Sequence, residues 1–112
     1  MIMQAVVDML AERARLIACG SCCDRAMVGA VISDCSGKII SEATNAPHYG
    51  ISHVHRCNVD GHVMVEDHCH STLHAEQAAI IDACINHGTL VNCAMVVTHL
   101  PCIQCCKLIM KA

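Results

Sequence analysis

The chain has 112 residues, enough for one compact domain and too few for two. Apolar residues make up 54% of it, so a core can form, yet no uninterrupted apolar run approaches the roughly 18 residues that argue for a membrane span. A net charge of −3 and a single aromatic residue, Tyr49, exclude the basic footprint and the stacking platform expected of a nucleic-acid binder.

The amino-terminal stretch MIMQAVVDMLAERARL is interrupted by Asp8, Glu12, Arg13 and Arg15. It therefore lacks the basic start and unbroken apolar segment of a signal peptide. A reducing, cytoplasmic setting is expected. In that setting eleven cysteines and nine histidines read as metal ligands or small core residues, not as a disulfide framework.

In chain order, Met3, Val6, Leu10, Ala14 and Ile17 recur at helical spacing, predicting an amphipathic helix over roughly residues 2–18. The run Met27 to Ile32 is short and rich in β-branched residues, which predicts a buried strand. Asp34-Cys35-Ser36-Gly37 is a turn signal, and Lys38 to Ala43 then reads as a hairpin partner. From Asn45 to about Thr72 the periodicity stops while histidine and cysteine recur, as expected of a functional loop. Residues 73–87 resume helical spacing, with Gly88 as the stop. Ala94 to Thr98 predicts a third strand. Pro101 opens a last helix through Lys111, at an early position where its missing N–H costs nothing. Helix, strand, strand, loop, helix, strand, helix implies a single α/β layered domain spanning residues 1–112.

Two segments carry the chemistry: His74-Ala75-Glu76 and Pro101-Cys102-Ile103-Gln104-Cys105. Cys102 and Cys105 are one helical turn apart at a helix start, where the dipole favours thiolates. With His74 they make three protein ligands for tetrahedral zinc, leaving the fourth position for a water whose pKa the metal lowers. His74 and Glu76 are two apart and do not face each other within a regular helix, so they converge only if the helix begins at His74. Glu76 is then placed to move protons without being a ligand. An isolated CxxC is more often structural, and an isolated HxE means little. Jointly they form the H-x-E…P-C-x-x-C signature of zinc deaminases.

Further stretches carry a more specific likeness. They are Cys23-Asp24-Arg25-Ala26-Met27-Val28-Gly29-Ala30, Asn45-Ala46-Pro47, His68-Cys69, and Val97-Thr98-His99-Leu100-Pro101-Cys102-Ile103-Gln104-Cys105-Cys106-Lys107. With them the chain, from about residue 5 to its end, resembles the cytidine/deoxycytidylate (dCMP) deaminases, the bacterial late-competence branch in particular. The resemblance implies a cytidine-deaminase-like α-β-α sandwich, hydrolysis of dCMP to dUMP and ammonia, a nucleotide contact from Asn45, and no membrane or nucleic-acid partner. It also implies a second, structural zinc at Cys23, Cys57, His68 and Cys69. On the other reading of those four, Cys23 is a small core residue and the loop histidines are solvated.

Two departures qualify the resemblance. Ala78 stands where the family has Asn, and relatives continue past the last helix into further elements, whereas this sequence stops at Ala112. A C-terminally truncated sandwich would expose the third strand as a sheet edge, so a homo-oligomer is expected. The alternatives are a deaminase of another small cytosine-type substrate and an inactive, truncated zinc-binding homologue.

Lesser residues keep two readings each. Arg25 offers a bidentate guanidinium for a nucleotide phosphate, or is an exposed charge ending a loop. Tyr49 or His48 packs on the pyrimidine, or faces solvent. Cys19 and Cys22 read as core or cap residues. Cys35, Cys84, Cys93 and Cys106 read as buried small apolar residues.

Overall fold

The computed structural model describes residues 3–21, 26–47, 64–65, 68–69 and 72–112. Helix α1 spans Gln4–Ala18, strand β1 Gly29–Ser33 and strand β2 Ile39–Thr44. Two-residue strands follow at Ala46–Pro47 (β3), Met64–Val65 (β4), His68–Cys69 (β5) and Thr72–Leu73 (β6). Helix α2 covers Ala75–Asn86, strand β7 Ala94–Val97 and helix α3 Ile103–Lys111.

The central sheet has the order β2-β1-β7, with both neighbours antiparallel to β1. β1 is buried at every position, as its apolar run predicts for a strand covered on both faces. On one face lie Leu10, Ala14 and Val31, with Val6, Ile17, Ile39 and Val96 against them, so α1 covers this side. On the other, Ala30 and Ile32 meet Ala75, Ala79, Ile80 and Ala83 of α2, with Ile109 of α3 at the margin. The result is the expected α-β-α layering. Met3 departs from the predicted stripe: it is the N-cap of α1 and is mostly exposed.

Close approach of α1 to the sheet depends on Gly29. A Cβ there would overlap the carbonyl oxygen of Ala14 and stand 2.9 Å from the amide nitrogen of Ala18. The β1–β2 turn is built by Asp34, whose Oδ1 accepts from the Ser36 N–H at 2.9 Å, the Ser36 hydroxyl at 2.6 Å and the Lys38 N–H at 3.0 Å. Gly37 takes φ 88°, the left-handed region that glycine enters without cost. Bidentate pairing of Arg13 with Glu42, at 2.6 and 2.8 Å, ties α1 to β2, and the Ser41 hydroxyl ties β2 to α2 by donating to the Ala79 carbonyl at 2.8 Å.

Between Asn45 and Thr72 the aperiodic stretch carries two short antiparallel ladders, β3 with β6 and β4 with β5. Two-residue strands are too short to leave an alternation in the sequence. The β3–β6 ladder matters for function: it pairs Ala46 with Leu73 and so carries the chain from the end of β2 directly to His74. Among the described residues β7 pairs on one side only, with β1. None of the described helices is long and apolar enough to cross a membrane.

The cysteine expectations need correction. Cys35 and Cys84 are exposed and Cys93 and Cys106 only half-buried. Cys35 falls in the hairpin turn and Cys84 on the outer side of α2, places that small size alone does not reveal. Cys19 is the C-cap of α1, in keeping with the cap reading, with its thiol 3.5 Å from the Arg15 carbonyl.

Candidate active site

His74 is the N-cap of α2, with extended backbone at φ −65° and ψ 148°. Its N–H donates to Oε1 of Gln77 at 3.0 Å, so the third helical residue secures the helix start. Because His74 is outside the helical turn, its ring is released toward α3 while Glu76 sits at the second helical position. Cys102 is likewise the N-cap of α3, at φ −69° and ψ 167°, and Cys105 is the third helical residue. Both cysteines thus lie at the positive end of α3, where a thiolate is favoured.

These two helix starts meet. His74 Nδ1 stands 3.3 Å from Cys105 Sγ and 3.5 Å from Cys102 Sγ. The three atoms lie within 4.8 Å of one another, the one such group of ligand-type side chains among the described residues. Zinc bonds of about 2.0–2.3 Å in a tetrahedron would space their ligand atoms roughly 3.6–3.8 Å apart, so the two distances from His74 need only slight lengthening.

Electrostatics point the same way. Cys105 is fully buried and Glu76 is 5% exposed. Burial foremost, then the Glu76 carboxylate and the neighbouring Cys102, push the Cys105 thiol well above its ordinary range. Burial and the carboxylate thus outweigh the helix end and keep the Cys105 sulfur protonated unless a cation sits beside it, and two sulfurs with an imidazole are a donor set of zinc. Residues and metal fit.

Asn45 is almost wholly buried and bridges β2 to the entry of β1. Its Oδ1 accepts from the Val28 N–H at 3.0 Å and the Ser21 hydroxyl at 2.6 Å, and its Nδ2 donates to the Ala26 carbonyl at 2.7 Å. Its amide therefore fixes the backbone leading into β1, a role the sequence did not reveal. Arg25, Cys23, Cys57, His48 and Tyr49 lie outside the described residues. His68 and Cys69 are described as β5, paired with Val65 and Met64 respectively. Thr98 and His99, which the sequence shows only as part of a family-like stretch and with no role of their own, have their hydroxyl and ring Nδ1 2.8 Å apart.

Residues 4–112 match the family described as the cytidine and deoxycytidylate deaminase zinc-binding region. The chain belongs to this family. It is 40% identical over 101 residues to ComE operon protein 2 of Bacillus subtilis (strain 168), a match covering 89% of this chain and 51% of that protein. The chain thus spans about half the length of this relative. Among solved structures it is similar to the dCMP deaminase of cyanophage S-TIM5. The apo form superposes with a TM-score of 0.78 at 24% identity, covering 98% of this chain and 78% of that one. The complex with dCMP and dUMP gives 0.80 at 25% identity, covering 99% and 77%. The cytidine-deaminase-like fold expected from the sequence is the fold observed.

Proposed function

We propose that this chain is a zinc-dependent deaminase that hydrolyses dCMP to dUMP and ammonia. The observation that carries the reading is the meeting of His74, Cys102 and Cys105 at two helix starts, with the buried Glu76 beside them. Zinc held by those three side chains would supply a water acidic enough to lose its proton near neutral pH. Glu76 is assigned to proton transfer: its carboxylate carries one proton of the attacking water to the pyrimidine ring nitrogen, then the second, from the hydroxyl so formed, to the departing amine. At 5% exposure that carboxylate is largely withdrawn from bulk water.

The choice of dCMP over other cytosine compounds rests on likeness to the S-TIM5 enzyme, whose structure holds dCMP and dUMP. Asn45 and Arg25 are proposed as nucleotide contacts. A second, structural zinc at Cys23, Cys57, His68 and Cys69, and self-association through the half-exposed β7 edge, complete the reading. Metal analysis and sedimentation equilibrium check them: two ions per chain and a species larger than a monomer are expected.

The test is ammonia release by the zinc-loaded chain from a panel of dCMP, CMP, deoxycytidine and cytidine. dCMP is expected to give the highest kcat/KM. Preference for an unphosphorylated nucleoside would overturn the substrate assignment.

A further inference from the structure

The Thr98–His99 pair is not used by the proposed chemistry, yet it is tightly built. Thr98 is pinned to β1 twice: its N–H donates to the Gly29 carbonyl at 3.0 Å, and its hydroxyl oxygen accepts from the Gly29 N–H at 3.1 Å. The same hydroxyl stands 2.8 Å from Nδ1 of His99. A hydroxyl has one proton to give. With the Gly29 N–H already on its oxygen, giving that proton to Nδ1 satisfies every group. The His99 ring proton then resides on Nε2.

This pair lies at the catalytic end of the sheet, where β1 begins and β2 and β7 finish. A continuous run of hydrogen bonds crosses that end. Asn45 holds the Val28 N–H, the next residue, Gly29, holds Thr98, and Thr98 holds His99. Three residues after His99 comes Cys102. His99 is exposed whereas Cys102 is half-buried and Cys105 fully buried, so His99 stands on the solvent side of the segment that leads to both sulfurs.

We infer that His99 is a substrate-positioning residue, locked by Thr98 as the Nε2–H tautomer so that it presents one hydrogen-bond donor to an acceptor oxygen of the pyrimidine nucleotide. This rests on the function proposed above. That oxygen belongs either to the base carbonyl or to the phosphate, and the two sources are separable by comparing dCMP with deoxycytidine.

The experiment uses the full chain, zinc-loaded and labelled with ¹⁵N-histidine. Long-range ¹⁵N–¹H spectra are expected to show His99 protonated at Nε2 and bare at Nδ1. Thr98→Val should lose this preference and Thr98→Ser keep it. A ring protonated at Nδ1 in the wild type overturns the inference.

In kinetics, His99→Ala should raise KM for dCMP roughly three- to tenfold, the worth of one hydrogen bond, with kcat and zinc content little changed. His99→Gln, whose amide nitrogen takes the place of Nε2, should recover most of the loss, and His99→Asn should not. A KM effect that persists with deoxycytidine assigns the base carbonyl, and one confined to dCMP assigns the phosphate. Equal KM in wild type and all three variants overturns the inference. Should the wild type turn over no cytosine nucleotide, the proposed function fails and a dUMP titration decides the inference by itself. Movement of the His99 Nε2 resonance supports the contact, and an unmoved resonance refutes it.

Discussion

Nδ1 of His74 and Sγ of Cys105 are 31 residues apart in the chain and 3.3 Å apart in the fold. The helix that begins after His74 and the helix that begins after Cys102 are brought together on one face of the sheet, so metal binding and folding are linked. Chelation is expected to lower stability by about 3–4 kcal/mol when free zinc stands several hundredfold above its dissociation constant. Cys105→Ala should abolish that response while leaving a folded chain. Thermal unfolding with and without chelator checks this, and a melting temperature indifferent to chelator would contradict it.

Gly29 is where α1 touches the sheet most closely. Gly29→Ala places a methyl against the Ala14 carbonyl and the Ala18 amide, both main-chain groups that yield only if the helix moves. A loss of at least about 2 kcal/mol is expected in chemical denaturation, because overpacking against backbone has no side-chain relief. A neutral outcome would mean that α1 shifts freely on the sheet.

Much of this was legible in the sequence. The buried strand around Val31, the hairpin turn at Asp34 and the helix start at His74 follow from local pattern and from what convergence of His74 with Glu76 requires, whereas the last helix begins at Ile103 behind the Cys102 N-cap, two residues later than the Pro101 start expected from the sequence. The closeness of Gly29 to α1 was not legible, since it depends on a tertiary distance and not on any special φ. Nor was the structural use of the Asn45 amide, because nothing local to Asn45 points to partners 17 to 24 positions away. The β3–β6 ladder was hidden for a similar reason, its two strands being separated by a stretch with no periodicity of its own.

Ser33 is fully buried, and its hydroxyl finds no hydrogen-bond partner among the described residues. Removing an unsatisfied buried hydroxyl relieves its desolvation cost, so Ser33→Ala should raise stability by about 1 kcal/mol. Equilibrium urea unfolding is the measurement. A loss of stability would show that the hydroxyl is satisfied by an internal water.

The Arg13–Glu42 pair sets a pH dependence. Hydrogen bonding and charge from Arg13 hold the Glu42 carboxyl below its ordinary value, against a smaller opposing effect of burial, and the Ser36 hydroxyl does the same for Asp34. Lowered carboxyl values mean that the folded state gains stability above their ordinary range, about pH 4, and loses it as pH falls through the folded values. Arg13→Met should therefore be less stable than wild type near pH 7, and the gap should close as the pH drops below about 4. Urea midpoints of both chains from pH 7 to 3, in the presence of chelator, test the sign. A gap that widens in acid would contradict it.

In the proposed function Glu76 moves protons and holds no metal. The direct measurement is dUMP formation from dCMP by zinc-loaded wild type and Glu76→Gln, with zinc content determined on the same samples. Full zinc in both, with turnover in the variant lowered on the order of a hundredfold to ten-thousandfold, is the predicted result. Activity near wild type in Glu76→Gln, or loss of zinc together with activity, would contradict it.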